Sequence, residues 1–88
     1  MLDWKVYILR CSDNSLYTGI TLDLNRRLKE HNHDDRLASA YTRARRPVTL
    51  VYKEAHTDRS SASKREAAIK KLTKLEKEKL IINKHGKE

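Results

Sequence analysis

Val6, Tyr7, Ile8 and Leu9 follow one another without a polar break in a chain in which 36% of residues are charged. Along a strand, successive side chains point to opposite faces, so an unbroken apolar run needs cover on both sides. The run from Trp4 to Cys11 therefore reads as a central strand, and the chain must build layers around it. Ser12-Asp13-Asn14-Ser15 supplies turn chemistry, and Leu16 to Ile20 reads as a second strand folding back as a hairpin.

Asp23 is placed to cap a helix with Leu24 and Leu28 on one side and Arg26, Lys29 and Glu30 on the other, ending near His31 or Asn32. His33 to Arg46 shows no clear period and reads as an ordered or partly ordered loop, with Pro47 pushing Arg46 toward extended geometry. Val48, Leu50 and Tyr52 alternate with Thr49, Val51 and Lys53 as a third strand. Ser60 or Ser61 starts a second helix with an Ala62, Ile69 and Leu72 stripe. Thr73-Lys74-Leu75-Glu76 is a capping box that restarts a third helix, anchored by Leu80 and Ile81, with Gly86 past its end. The order β-β-α-β-α-α predicts an α/β fold of the α+β kind, a small three-stranded antiparallel sheet flanked by helices. At 88 residues it forms one domain spanning residues 1–88.

Twenty Lys and Arg against twelve Asp and Glu give a net charge of +8. Nucleic acid is the first partner this charge suggests, because neutralising phosphates releases counterions. No apolar run approaches a membrane span, and Met1-Leu2-Asp3-Trp4 shows no signal-peptide pattern, so a soluble cytoplasmic protein is expected. Cys11 is the only cysteine, which excludes an internal disulfide, and no histidine has a cysteine partner at zinc-ligand spacing.

Arg27 and His31, four apart on the first helix, share a face beside the Leu24 and Leu28 stripe. Together they suit one phosphate, although such a pair also occurs as solvated flank residues. Glu66 falls between Ala62 and Ile69 at helical spacing, turning a carboxylate toward the apolar side, where it asks for a cation. Ser63-Lys64-Arg65-Glu66 also matches a capping box, so the residues alone leave Glu66 open between cap and metal ligand. Tyr7 and Tyr17, taken singly, read as strand aromatics. Tyr41-Thr42-Arg43-Ala44-Arg45-Arg46-Pro47 mixes an aromatic, a hydroxyl and three guanidiniums, as in a grip on a nucleic-acid backbone or in a solvated basic loop. Lys64, Lys70, Lys71, Lys74, Lys77 and Lys79 extend the positive field along the last helices.

Taken in order, Val6-Tyr7-Ile8, Tyr17-Thr18-Gly19, Arg27, His31 and Glu66 resemble the GIY-YIG nuclease pattern. The resemblance covers nearly the whole chain and is closest to the small stand-alone bacterial members, which share runs like Leu16-Tyr17-Thr18-Gly19-Ile20-Thr21 and Tyr41-Thr42-Arg43. It implies an α/β sandwich, hydrolysis of DNA phosphodiesters with low sequence specificity in repair or processing, and one Mg²⁺ or Mn²⁺ held chiefly by Glu66. It makes Tyr7, Tyr17, Arg27, His31 and Glu66 the catalytic set, with Tyr7 as base and Tyr17 positioning phosphate or water. Gly19 then permits close backbone approach. Gly19, Tyr41, Arg43, Arg45 and Arg46 are the expected DNA contacts, and a monomer is expected. Val6 and Thr18 depart from the name-giving motifs. Ile20 and Thr21 stand where some relatives have a lysine, and Asn83 lies farther along than the asparagine of others. A noncatalytic nucleic-acid-binding module, and more remotely a protein-interaction module using the lysine-rich helices, are the other readings.

Overall fold

The computed structural model describes residues 3–85. Its elements are β1 (Trp4–Arg10), β2 (Leu16–Thr21), α1 (Leu24–His33), α2 (Ala40–Arg43), β3 (Thr49–His56), α3 (Arg59–Lys70) and α4 (Lys74–His85). The strands form one antiparallel sheet in the order β2-β1-β3, which puts the apolar run at its centre. Val6 and Ile8 pack with Tyr52, Ala62, Ile69 and Ile81 on one face. Tyr7, Leu9 and Cys11 pack with Val48, Leu24 and Leu28 on the other. The strand is covered on both sides because its sequence leaves no polar face to expose.

The hairpin closes through Cys11 N–H to Ser15 O and Asn14 N–H to Cys11 O, both 2.9 Å. Asn14 takes a φ of 69°, which asparagine tolerates better than most residues. In β3 the alternation seen in the sequence is interrupted. Ile8 pairs with Tyr52 and Leu9 with Leu50, so a bulge between them sends Leu50 and Tyr52 to opposite faces. The expectation that Val48, Leu50 and Tyr52 share one face is corrected accordingly, since a bulge changes parity without a composition signal.

Asp23 caps α1 as expected, its Oδ1 accepting from Arg26 N at 3.1 Å. The segment read as a loop contains the single-turn α2, capped by the Ser39 hydroxyl, which accepts from Thr42 N at 3.1 Å. Four residues are too few to show a helical period. Asn32 ties α1 to the start of β3, donating to Val48 O at 2.9 Å and accepting from Val48 N at 2.8 Å.

Helix α3 starts at Arg59 rather than Ser60 or Ser61, because Asp58 is its cap and accepts from Ser61 N at 2.7 Å. Glu66 is therefore mid-helix, and the Ser63–Glu66 capping box is excluded. The second capping box forms: Thr73 N donates to Glu76 Oε1 at 2.8 Å and Glu76 N to Thr73 Oγ1 at 3.2 Å. The position assigned to Gly86 lies outside the described residues. Between β3 and α3, Glu54 accepts from Tyr52 Oη at 2.5 Å and Arg65 Nε at 2.9 Å, and lies 2.8 Å from His56 Nε2. Such a satisfied polar network fixes how α3 lies on the sheet.

Candidate active site

The register of the hairpin places Tyr7 opposite Gly19 and Leu9 opposite Tyr17. These positions share a face, and the missing side chain at residue 19 leaves a gap that Tyr7 fills. A Cβ at Gly19 would lie 2.5 Å from Tyr7 Oη and 2.6 Å from Cζ. The close approach that glycine permits here is thus made by a tyrosine of the neighbouring strand.

Tyr7 Oη lies 2.9 Å from His31 Nε2, and His31 Nδ1 lies 2.7 Å from Thr42 Oγ1. The Thr42 hydroxyl donates to Ser39 O at 3.2 Å and lies 2.9 Å from Ser39 Oγ. All three linked side chains are buried, with Tyr7 1% exposed and His31 and Thr42 0%. Burial, followed by repulsion from Tyr17, pushes the Tyr7 pKa up to about 12, although the Arg27 guanidinium opposes this. Burial and then Arg27 pull the His31 pKa down to about 4. Near neutral pH the phenol keeps its proton and the imidazole is uncharged.

Arg27 frames this pair. Its NH1 donates to Glu30 Oε1 at 2.9 Å and to Leu37 O at 2.6 Å. Tyr17 meets the edge of His31 at a ring separation of 5.3 Å, and Tyr41 stacks on Tyr17 at 5.9 Å. The Arg45 guanidinium sits 3.9 Å over the Tyr41 ring and reaches Asp13 Oδ2 at 3.1 Å. A continuous wall of Arg45, Tyr41, Tyr17 and His31 therefore leads to the Tyr7 hydroxyl. Arg43 is exposed beside it, with NH1 on Asp35 O at 2.7 Å. Arg46 is turned inward: its Nε holds His31 O at 2.7 Å, its NH1 holds Asp35 at 2.8 Å, and its NH2 is buried.

Glu66 approaches from α3, which packs against β1 and β2, near enough for its charge to act on the Tyr7 phenol. The carboxylate is half-buried and pairs at 3.2 Å with Lys70, whose own side chain is 53% exposed. A cation that exposed is easily displaced. Among the described residues no three His, Cys, Asp or Glu side chains gather as a metal cage. A lone half-buried carboxylate beside an easily displaced cation suits a hard divalent ion, a class commonly held by one or two carboxylates, water and a substrate phosphate. Asn83 is exposed on α4 and joins none of the contacts described above.

The structure brings Tyr7, Tyr17, His31, Arg27 and Tyr41 together, with Glu66 within electrostatic reach. Two participants carry no local sequence signal for the part they play beside His31. Thr42 lies in the Tyr41-Thr42-Arg43 run, but its burial depends on the Ser39 cap and could not be read from spacing. Ser39 itself was hidden in the segment without a period.

Residues 3–88 match the family model described as the GIY-YIG catalytic domain. The chain is 54% identical over 78 residues to UPF0213 protein DP2720 of Desulfotalea psychrophila, covering 89% of this chain and 70% of that protein. It is 49% identical over 76 residues to UPF0213 protein SERP0126 of Staphylococcus epidermidis, covering 86% and 90% respectively. Among solved structures, UPF0213 protein BH0048 of Bacillus halodurans superposes with a TM-score of 0.58 at 39% identity, covering 91% of this chain and 83% of that one. EF2693 of E. faecalis gives 0.61 at 40% identity, covering 91% and 84%.

Proposed function

Because the chain belongs to the GIY-YIG family, we propose that it cleaves phosphodiester bonds in DNA as a divalent-metal-dependent endonuclease. The observation that carries this reading is the buried Tyr7–His31 hydrogen bond set beside Arg27. It joins a proton donor, a neutral acceptor and a fixed positive charge at the edge of a basic surface.

A phosphate seated on Arg27 brings the scissile bond next to Tyr7 Oη. The oxygen of an attacking water forms the new P–O bond as the opposite P–O bond breaks in line. The water's proton passes to Tyr7 Oη while the Tyr7 proton passes to His31 Nε2. The departing oxygen takes up a proton from solvent, His31 returns its proton to solvent as the product leaves, and Arg27 stabilises charge growing on the phosphate. At rest the gap between pKa values of about 12 and about 4 keeps the proton on Tyr7. The anionic substrate raises the proton affinity of His31, so transfer waits for DNA to bind. A divalent cation held by Glu66 would withdraw charge from the phosphate and favour deprotonation next to it.

Arg43 and Arg45, with Lys64, Lys70, Lys71, Lys74, Lys77 and Lys79, suit backbone phosphates. Such contacts carry no sequence information, which accords with low-specificity cutting in DNA repair or processing. The test is cleavage of end-labelled single-stranded, duplex and branched DNA by the purified protein across a Mg²⁺ and Mn²⁺ titration. Cutting that rises with metal and stops in EDTA supports the reading. Binding without cutting under every condition supports instead a noncatalytic nucleic-acid-binding module.

A further inference from the structure

Resting on the nuclease reading above, we infer that Thr42, itself held by Ser39, is the positioning residue that sets the tautomer of His31, leaving Nε2 free to accept the Tyr7 proton. Which imidazole nitrogen carries the hydrogen is decided by the partner of the other.

A Thr42 hydroxyl has one proton to give. It has three acceptors in reach, Ser39 O at 3.2 Å, Ser39 Oγ at 2.9 Å and His31 Nδ1 at 2.7 Å, and giving it to either oxygen of Ser39 has the same consequence for His31. Given to the Ser39 carbonyl, which can only accept, it leaves Thr42 Oγ1 as acceptor for His31 Nδ1–H. Given to His31, it would force the hydrogen onto Nε2, against the Tyr7 hydroxyl at 2.9 Å. Two further contacts decide between these arrangements. Ser39 Oγ accepts from Thr42 N at 3.1 Å and has its own proton to offer Thr42 Oγ1 at 2.9 Å, which fills the second lone pair of Thr42. Tyr7 is buried against Gly19 and keeps its phenolic hydrogen, for which His31 Nε2 is the acceptor at hand. The arrangement that satisfies every group runs Tyr7 Oη–H to His31 Nε2, His31 Nδ1–H to Thr42 Oγ1, and Thr42 Oγ–H to Ser39 O. The single turn of α2 therefore orients a base on α1, although neither Thr42 nor Ser39 reaches the reacting atoms.

The test pairs Thr42→Val, which keeps shape and removes the hydroxyl, with Thr42→Ser, which keeps it. The tautomer is read from the ¹⁵N signals of the His31 ring at pH 7.5, where a merely structural residue would leave the pattern unchanged. Wild type and Thr42→Ser are expected to show Nδ1 protonated and Nε2 bare. Thr42→Val is expected to shift a measurable fraction to Nε2–H and to lower kcat on the order of 10–100-fold with KM for DNA within about twofold. A wild-type ring carrying its hydrogen on Nε2, or a Thr42→Val ring identical to wild type, overturns the inference. If Thr42→Val does not fold, the wild-type and Thr42→Ser spectra still decide. Absence of cleavage by the wild-type protein would remove the nuclease reading and leave the tautomer measurement standing on its own.

Discussion

Lowering the pH should withdraw stability from this fold through His31 before its carboxylates titrate. The imidazole is 0% exposed and its pKa is held at about 4 against an ordinary 6.5. The folded state thus prefers the neutral ring, whereas the unfolded chain takes up a proton below pH 6.5. Stability from this source is complete above 6.5 and is lost as the pH falls toward 4. One pKa unit corresponds to about 1.4 kcal/mol, so between pH 7.5 and 5 the loss is about 2 kcal/mol. Carboxylates with lowered values, Glu54, Glu78 and Asp34 among them, begin to contribute only below that window. Urea unfolding, followed by the fluorescence of Trp4, the single tryptophan, measures the loss. The informative quantity is the stability of wild type minus that of His31→Gln. That difference should shrink by about 2 kcal/mol from pH 7.5 to pH 5. A difference that stays flat across the window would refute a buried, neutral His31.

Gly19→Ala should force the Tyr7 ring aside, costing about 1–3 kcal/mol in urea unfolding and changing the His31 ring signals, because the new methyl meets Tyr7 Oη at 2.5 Å. Unchanged His31 signals would show that the tyrosine has room to spare. Thr18 Oγ1 is buried without a partner, so Thr18→Val should be neutral or stabilising by about 1 kcal/mol in the same assay; a clear loss would mean that the hydroxyl is satisfied. Thr73→Ala should cost about 1 kcal/mol by removing the bond from Glu76 N at 3.2 Å, and thermal unfolding that does not move would show that the cap contributes little.

The parts of this molecule that were legible in its sequence are those governed by local pattern. The two-sided β1 strand, the Asp23 cap and the Thr73–Glu76 capping box each follow from a few neighbouring residues. What escaped depends on contacts between distant positions. The bulge between Ile8 and Leu9 exists only as a pairing of two strands, and it moved Leu50 to the face opposite Tyr52. Arg46 belongs compositionally with Arg43 and Arg45, yet the carbonyl of His31 draws it inward. Glu66 was ambiguous between cap and ligand until Asp58 set the start of α3. The order of Tyr7, Tyr17, Arg27 and His31 was visible, but their convergence needed Gly19 to open space for a ring and α2 to hold an imidazole.

The proposed site joins the side chains around Tyr7 and the carboxylate of Glu66 in one metal-assisted phosphodiesterase centre. Its most direct test compares Glu66→Gln with wild type on the same labelled DNA in Mg²⁺, with DNA affinity measured in parallel. Affinity is expected to stay within a fewfold of wild type and cleavage to fall at least 100-fold, on the order of what a lost catalytic group removes. Metal-dependent cleavage by Glu66→Gln at the wild-type rate would contradict this.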